Sequence, residues 1–235
     1  ESKWKTLDGE NVEPIQPGTV RECRDFFKKY DGVDGFQIYG NDRYLYQYIS
    51  ERYPQDEIKW DMSKIKLVTI DIEVKSEEGF PSPDSCSEEM LTISIQDYNT
   101  KHITTWGRKP YTPTQKNVTY HHYEEEVDML RAFIDWWNQD PPEVVTGWNC
   151  RLYDIPYMCG RIDRIMGLKT LRQLSPWGLV NHSELYINGR PHNIFDIVGV
   201  TTLDFMELYK KFTYVNRESY RLDFIAETEL GQKKL

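Results

Sequence analysis

Cysteine and histidine are scarce in this sequence, which has four cysteines and five histidines among 235 residues. The cysteines are scattered without any C-x-x-C spacing, a pattern typical of free thiols in a reducing compartment and unfavourable for a zinc site. They are Cys23, Cys86, Cys150 and Cys159. The pair His121–His122 does not restore a zinc site, because neighbours on an extended chain point to opposite faces. We interpret this pair as part of a polar loop before a helix.

Long apolar runs are also missing, and no stretch approaches the roughly 18 apolar residues of a membrane-spanning helix. The composition is 39% apolar, 14% aromatic and 29% charged. These values are typical of a globular protein and exclude disordered, collagen-like and low-complexity classes. Because the sequence begins with Glu1 rather than Met, we expect a fragment of a longer protein.

The charge is negative and unevenly distributed. The net value of −9 argues, taken alone, against a general polyanion-binding protein. Residues 66–160 carry 8 positive and 16 negative side chains, a net of −8, whereas residues 161–235 carry 11 and 9, a net of +2. The acidic residues are therefore concentrated in the middle of the chain, and the last third is mildly basic.

Residues 1–65 are predicted to form a small lobe, which we interpret as part of an N-terminal domain. The pattern over Val20–Tyr30 predicts a helix with Cys23, Phe26 and Phe27 on its inner side. Gly35–Tyr39 and Tyr44–Ile49 have the composition of short strands, joined by a turn at Gly40-Asn41-Asp42.

From Lys66 onward the pattern predicts a mixed α/β fold with helices on the faces of the sheet. Three strands, Lys66–Val74, Met90–Tyr98 and His102–Trp106, form an antiparallel meander, with a long acidic loop at residues 75–89. The later elements are a helix at Glu124–Asn138, a strand at Glu143–Trp148, a helix at Asp154–Met166, a hairpin at Leu185–Ile197, and helices at Thr202–Phe212 and Tyr220–Leu230.

Two carboxylates on the first of these strands are the sharpest chemical feature. Asp71 and Glu73 share one face, about 7 Å apart at the backbone, while the other face of the strand is fully apolar. Carboxylates at this spacing can converge on Mg²⁺ or Mn²⁺, and paired metal ions serve displacement at phosphorus. The alternative is a solvated strand face, which is the commoner meaning of a D-x-E string.

A second acidic position follows the apolar strand Glu143–Trp148. Asp154 opens the next helix, close to the carboxyl end of that strand, where open α/β sheets place their ligands. Asp154 could equally be a helix cap, and Asn149 could simply form the turn between the two elements.

These strings together resemble the 3′→5′ exonuclease region of family B DNA polymerases, specifically those of T-even-like bacteriophages. The resemblance rests on Ile70-Asp71-Ile72-Glu73-Val74 and on Asn149-x-x-x-Tyr153-Asp154. Supporting strings are residues 78–83, 203–212 and 219–223. It runs from about Lys66 to Leu235 and is weaker over residues 20–65. It implies a ribonuclease H-like fold and a proofreading activity that hydrolyses the 3′-terminal phosphodiester of DNA.

The resemblance also implies roles for individual residues. Asp71 is expected to bridge two Mg²⁺ or Mn²⁺ ions, Glu73 to bind the ion that activates water, and Asp154 to hold the ion at the leaving 3′ oxygen. The implied DNA-binding residues are Phe80, Asn149, Tyr153 and Arg190. Phe80 would stack on the frayed 3′ end, and Arg190 would touch DNA from a hairpin that parts primer from template. The alternatives are a core position for Phe80, a turn-shaping role for Asn149 and an exposed turn position for Arg190.

One element of the family, the third motif Y-x-x-x-D, has no match in the expected place. Tyr220 and Asp223 are one residue too close, Tyr214 is followed by Glu218 instead of Asp, and Tyr30–Asp34 precedes the first motif. We therefore expect residues 66–235 to be an exonuclease domain truncated before that motif, weak or inactive in isolation. Polymerase palm and fingers motifs are missing from the sequence as well.

The expected partners are the single-stranded 3′ end of a primer, the remainder of the polymerase and, through that remainder, a sliding clamp. No membrane association is expected, and the compartment would be the cytoplasm of the infected host cell. Two other functions stay open: a stand-alone ribonuclease H-like nuclease, and a non-catalytic DNA-positioning or scaffold module whose acids are structural.

Overall fold

Two units make up the chain, Glu1–Asp61 and Met62–Leu235. The computed structural model describes residues 3–39, 44–53, 59, 61–77, 79–187 and 189–232. The first unit contains the short antiparallel strands β1 (Trp4–Lys5) and β2 (Asn11–Val12), followed by helices α1 (Val20–Tyr30) and α2 (Tyr44–Arg52).

Helix α1 covers the residues that the sequence predicts. Thr19 Oγ1 accepts a hydrogen bond from Glu22 N at 3.3 Å, and the Glu22 carboxylate accepts one from Thr19 N at 2.7 Å. This reciprocal pair is a capping box, which satisfies two backbone donors at the start of the helix. Lys28 and Lys29 lie in the last turn, where a positive charge is favoured by the helix dipole. Both ends of α1 are thus determined by local sequence.

The strand predicted at Tyr44–Ile49 is wrong, because these residues belong to α2. The aromatic composition of this segment is typical of a strand, yet Tyr46 and Tyr48 are both exposed. Gln47 donates to Glu51 at 3.1 Å, an i,i+4 contact that is typical of a helix. Residues 35–39 form no strand either, and the turn predicted at residues 40–42 lies outside the described residues.

A six-stranded mixed sheet forms the centre of the second unit. Its strands are β3 (Leu67–Val74), β4 (Met90–Asp97), β5 (Ile103–Gly107), β6 (Val118–His122), β7 (Val144–Gly147) and β10 (Thr201–Asp204), and a separate antiparallel hairpin consists of β8 (Val180–Ile187) and β9 (Arg190–Ile197). The strand order is β10-β7-β3-β4-β5-β6. Strands β3, β4 and β5 are antiparallel, and the other pairings are parallel. The predicted antiparallel meander is confirmed.

The helices of this unit are α3 (Glu126–Gln139), α4 (Asp154–Met166), α5 (Leu168–Leu171), α6 (Phe205–Phe212) and α7 (Leu222–Leu230), with 3₁₀ turns at Met62–Lys64 and Arg172–Leu174. Ile70 on β3 is buried in one apolar core with Phe133 of α3 and Met158 of α4. The other face of β3 carries Asp71 and Glu73, which are exposed. In the part of the chain that the structure describes, no helix has the length and apolarity needed to cross a membrane.

Three predictions for this unit are corrected by the structure. The helix predicted at Thr202–Phe212 begins only at Phe205, because Thr201–Asp204 pair with β7 as a parallel strand. His121–His122 do not lie in a loop; they end β6, where the His121 ring stacks on Trp106 at 6.0 Å. The hairpin begins at Val180 rather than Leu185, because its first strand is too polar to stand out in the sequence.

Candidate active site

The two carboxylates of β3 lie at the point where a neighbouring strand ends. On one side, Asp71 is paired with Ser94 and Glu73 with Thr92 of β4. On the other side, β7 pairs with β3 in parallel only as far as Thr146, opposite Thr69, and the strand ends at Gly147. A Cβ added at Gly147 would lie 2.8 Å from the carbonyl oxygen of Ile70, so glycine permits this close approach. The edge of β3 beside the carboxylates therefore faces the turn that follows β7 and not a strand.

Asp154 occupies that edge. It is the first residue of α4, and only 6% of it is exposed. Its Oδ1 accepts a hydrogen bond at 3.1 Å from the backbone N–H of Ile72, the residue between the two carboxylates of β3. The structure thus brings Asp154 to the backbone segment that carries Asp71 and Glu73, although the three residues come from elements that are some 80 residues apart in sequence.

The electrostatics of this edge disfavour an isolated negative charge. Burial, and secondarily the charge of Asp71, raise the pKa of Asp154 from its ordinary value of 3.8 to about 7. Carboxylate oxygens are the ligands that Mg²⁺ and Mn²⁺ prefer, and a divalent cation would offset the repulsion between Asp71 and Asp154. The donor set therefore fits a hard divalent cation. Among the described residues, however, no three His, Cys, Asp or Glu side chains are already grouped as a metal site.

Removing the Asp154 charge should make stability less dependent on pH. Because its folded pKa lies above the ordinary value of 3.8, the folded state binds the proton more tightly, and the stability that this contributes is lost as pH rises from about 4 to 7. In metal-free buffer with a chelator, the free energy of unfolding of Asp154→Asn, taken relative to that of wild type, should therefore rise by roughly 2–4 kcal/mol between pH 5 and pH 8. Urea unfolding at both pH values measures this.

A matched control for this experiment is Asp163→Asn, which changes an exposed aspartate on the same helix. The pH-dependent change in the Asp154→Asn protein is measured against that of the Asp163→Asn protein. A difference for Asp154→Asn that is equally constant between pH 5 and pH 8 would contradict the raised pKa.

The turn between β7 and α4 is held by a residue that the sequence did not single out. Asp204 is only 3% exposed. Its Oδ1 accepts hydrogen bonds from Asn149 N at 3.1 Å and from Met206 N at 2.9 Å, and its Oδ2 accepts one from Arg151 N at 2.9 Å. The same carboxylate caps α6, accepting a longer bond of 3.4 Å from Glu207 N. An aspartate directly before a helix is a cap signal. The helix predicted from Thr202 places Asp204 inside the helix, so this signal could not be recognised from the sequence.

Asn149 shapes this turn. Its φ is +63°, a left-handed conformation that asparagine tolerates better than most residues. The turn-forming interpretation of Asn149 is therefore supported, while a contact with DNA stays a prediction. Asn149 also lines a cleft of about 600 Å³ together with Tyr220 and Asp223, the pair whose spacing was too short for the third motif. The indole N–H of Trp148 donates to the carbonyl of Tyr220 at 3.0 Å.

Phe80 is exposed rather than buried in the core, with 81% of its surface accessible. Its ring lies 5.0 Å from that of Tyr153, centroid to centroid, and Tyr153 lies 5.9 Å from Tyr157. Burial raises the pKa of Tyr153 to about 12, so its hydroxyl stays protonated at neutral pH. The alternative of a core position for Phe80 is wrong, and the structure places Phe80 next to the residue that precedes Asp154.

Arg190 lies on a different element from the carboxylates. It is the first residue of β9, exposed, and paired across the hairpin with Ile187. The structure therefore places Arg190 at the hairpin tip, as expected, and its contact with DNA stays a prediction.

A sequence model described as the exonuclease domain of DNA polymerase family B matches residues 41–225. The chain belongs to this family. The match includes β3, the turn after β7, and α4, so it covers every candidate site residue. It also begins at residue 41, before the first unit ends at Asp61. The resemblance drawn from the sequence is confirmed, and the mixed sheet agrees with the ribonuclease H-like fold that this resemblance implies.

Individual relatives of this family B chain are viral DNA polymerases. The DNA-directed DNA polymerase of Escherichia phage RB69 is 29% identical over 92% of the chain, and that of Enterobacteria phage T4 is 28% identical over 100%. The DNA polymerase catalytic subunit of Human herpesvirus 6A (strain Uganda-1102) is 25% identical over 80% of the chain. The chain spans only 26% of the RB69 protein and 29% of the T4 protein.

Proposed function

We propose that the chain is the proofreading 3′→5′ exonuclease part of a bacteriophage DNA polymerase, which hydrolyses the 3′-terminal phosphodiester of DNA with two Mg²⁺ or Mn²⁺ ions. The observation that carries the proposal is the buried Asp154 carboxylate, bonded to Ile72 N between Asp71 and Glu73. A buried acid whose pKa is raised beside two exposed acids is an arrangement suited to cation binding.

In this proposal Asp71, Glu73 and Asp154 hold the metal ions. When bound, the ions supply a nucleophile at neutral pH and stabilise charge on the leaving oxygen. Tyr153 and Phe80 form the aromatic edge beside Asp154 and receive the terminal base. Asn149 fixes the turn that brings Tyr153 and Asp154 against β3.

Phe80→Ala should weaken binding of a single-stranded 3′ end about tenfold, because stacking on an aromatic ring contributes about 1–3 kcal/mol per base. The thermal midpoint should change little, since Phe80 is largely exposed. Fluorescence anisotropy of a 5′-labelled oligonucleotide measures the affinity. Phe80→Tyr, which keeps an aromatic face, is the matched control and should bind like wild type. Equal affinity of Phe80→Ala and wild type would exclude the stacking role.

We also propose that the isolated chain is a weak nuclease. Its three carboxylates are not grouped as a finished metal site within the described residues, and the burial that raises the pKa of Asp154 opposes the deprotonation that cation binding requires. A 5′-labelled oligonucleotide incubated with excess protein and Mn²⁺ should shorten from its 3′ end more slowly than about 1 s⁻¹, the low end of typical enzyme rates. Shortening faster than about 1 s⁻¹ would contradict the weakness, and shortening from the 5′ end would contradict the exonuclease polarity.

A second candidate is a non-catalytic module that positions DNA, favoured by the same lack of a grouped metal site among the described residues. Metal titration separates the two functions. An exonuclease whose acids bind Mn²⁺ should become more stable against unfolding as the Mn²⁺ concentration rises, whereas a positioning module with structural acids should not.

The remaining partners are proposals drawn from the relatives. Because those relatives are DNA-directed DNA polymerases of which the chain spans 26–29%, we propose that it works with the remainder of such a polymerase and with primer DNA. We further propose that this remainder binds a sliding clamp. The proposed compartment is the cytoplasm of the infected host cell.

A further inference from the structure

One face of α4 anchors the loop that carries Phe80. Arg161 Nη1 donates to the carbonyl oxygens of Cys86 at 3.1 Å and Ser87 at 2.7 Å. Tyr157 donates to the carbonyl of Glu88 at 2.8 Å, and Arg164 to that of Ser85 at 3.2 Å. Positions 157, 161 and 164 share one side of a helix. Four successive carbonyl groups of the loop between β3 and β4 are therefore bonded to the helix that begins with Asp154.

Arg161 is itself fixed by Glu126 of α3. The guanidinium donates from Nε at 2.9 Å and from Nη2 at 2.7 Å to the two carboxylate oxygens, and both side chains are about nine-tenths buried. Glu126 Oε1 also accepts a hydrogen bond at 2.8 Å from Met90 N, the first residue of β4. The arginine fork supplies four N–H groups here, two to the carboxylate and two to the carbonyls, whereas a lysine ammonium has only three donors at a single point.

The anchored loop adopts a conformation that its sequence alone would not favour. Cys86 has φ +45°, which costs a residue with a side chain on the order of 1 kcal/mol or more. Its Sγ lies so close to α4 that a Cβ added at Gly160 would be 2.5 Å away. Such a conformation persists only where surrounding contacts over-determine it, and here the Arg161 bonds to Cys86 and Ser87 provide them.

We propose that Arg161, fixed by Glu126, is a positioning residue that sets the loop so that Phe80 meets Tyr153 beside Asp154. The inference rests on the proposed function, in which Phe80 receives the terminal base of a single-stranded 3′ end. Arg161 then acts on recognition of the DNA end through Phe80, and not on the metal ligands.

The test is a double-mutant cycle between Arg161→Lys and Phe80→Ala in the whole chain. The substrate is a single-stranded oligonucleotide with 2-aminopurine at its 3′ terminus, titrated in a chelator so that metal binding plays no part. Stacking on Phe80 should change the fluorescence of the terminal base. Arg161→Lys should reduce that change by at least half and weaken binding about tenfold, and it should have no further effect in the Phe80→Ala background.

The control variant is Arg164→Lys, which alters a neighbouring exposed arginine that makes a single long bond to the same loop. It should keep the terminal-base signal. If Arg161→Lys fails to fold, Glu126→Gln serves as the second variant, because it keeps an acceptor for Met90 N while weakening the ion pair.

The outcomes are distinguishable. Loss of terminal-base stacking only when Phe80 is present supports the inference. A lower thermal midpoint with unchanged stacking, or an equal loss of affinity with and without Phe80, would overturn it in favour of a purely structural role. If wild type does not bind 3′ ends at all, the proposed function itself fails, and this inference fails with it.

Discussion

Replacing Asp204 with alanine should lower the free energy of unfolding by about 3–5 kcal/mol, the largest stability effect that we expect outside the apolar core. Its buried carboxylate accepts hydrogen bonds from four backbone N–H groups, two in the turn after β7 and two at the start of α6. The substitution leaves these donors without their acceptor and removes the helix cap at the same time. Urea unfolding, with the slope compared between variants, measures the loss.

Two further variants sharpen the Asp204 prediction. Asp204→Asn keeps one acceptor oxygen but turns an amide donor toward a backbone N–H, so its stability should lie between those of wild type and Asp204→Ala. Asp163→Ala removes an exposed aspartate from α4 and should change stability by less than about 0.5 kcal/mol. An Asp204→Ala protein as stable as Asp163→Ala would show that the turn is held by other contacts.

Replacing Asp71 with alanine should abolish metal-dependent chemistry, with a fall of at least about 100-fold in single-turnover release of 3′ nucleotides. Asp71 is the exposed acid whose charge acts on Asp154, so it is the residue best placed to share a cation with it. Wild type should be stabilised by Mn²⁺ by about 2.7 kcal/mol at a concentration 100 times the dissociation constant, and Asp71→Ala should lose most of this. Thermal unfolding with and without Mn²⁺ measures it.

The isosteric variant Asp71→Asn separates charge from shape. Removing the charge should lower the pKa of Asp154, because the repulsion from Asp71 is one of the causes that raise it. The control is Asp135→Ala, an exposed acid on α3, which should behave like wild type in both assays. Undiminished Mn²⁺ stabilisation of Asp71→Ala would exclude Asp71 as a metal ligand, whereas a wild type without any Mn²⁺ stabilisation would favour the DNA-positioning module over the exonuclease.

Local sequence was sufficient where an element carries its own signals. The capping box of α1 and the strict alternation of β3 are local patterns, and both elements were predicted with nearly the observed bounds. The placement of Asp71 and Glu73 on one face of β3 follows from the same alternation. The strand prediction for the residues of α2 was wrong because their local composition is misleading. Their tyrosines alternate along the sequence, although no residue of the helix is buried.

The rest depends on contacts between distant parts of the chain. Asp204 lies 55 residues from Asn149, and Arg161 lies 35 residues from Glu126. No periodicity reveals which backbone groups such side chains will meet after folding. Strand β6 was missed because it is polar at its end and gains its place by pairing with β5. The family resemblance supplied the site residues, and the long-range contacts show how the fold holds them.

The Asp204 carboxylate has a consequence for how this site can vary. Within the described residues, the hydrogen bonds it accepts come from the main chain, at positions 149, 151, 206 and 207. These hydrogen bonds therefore do not depend on which side chains occupy those positions. A substitution at Met206 can therefore change the surface of the turn without removing these bonds. A substitution at Arg151 or Glu207 removes in addition only their exposed ion pair, whose atoms are 3.2 Å apart. We therefore expect a survey of natural variants to find Asp204 far less substituted than the residues whose backbone it holds.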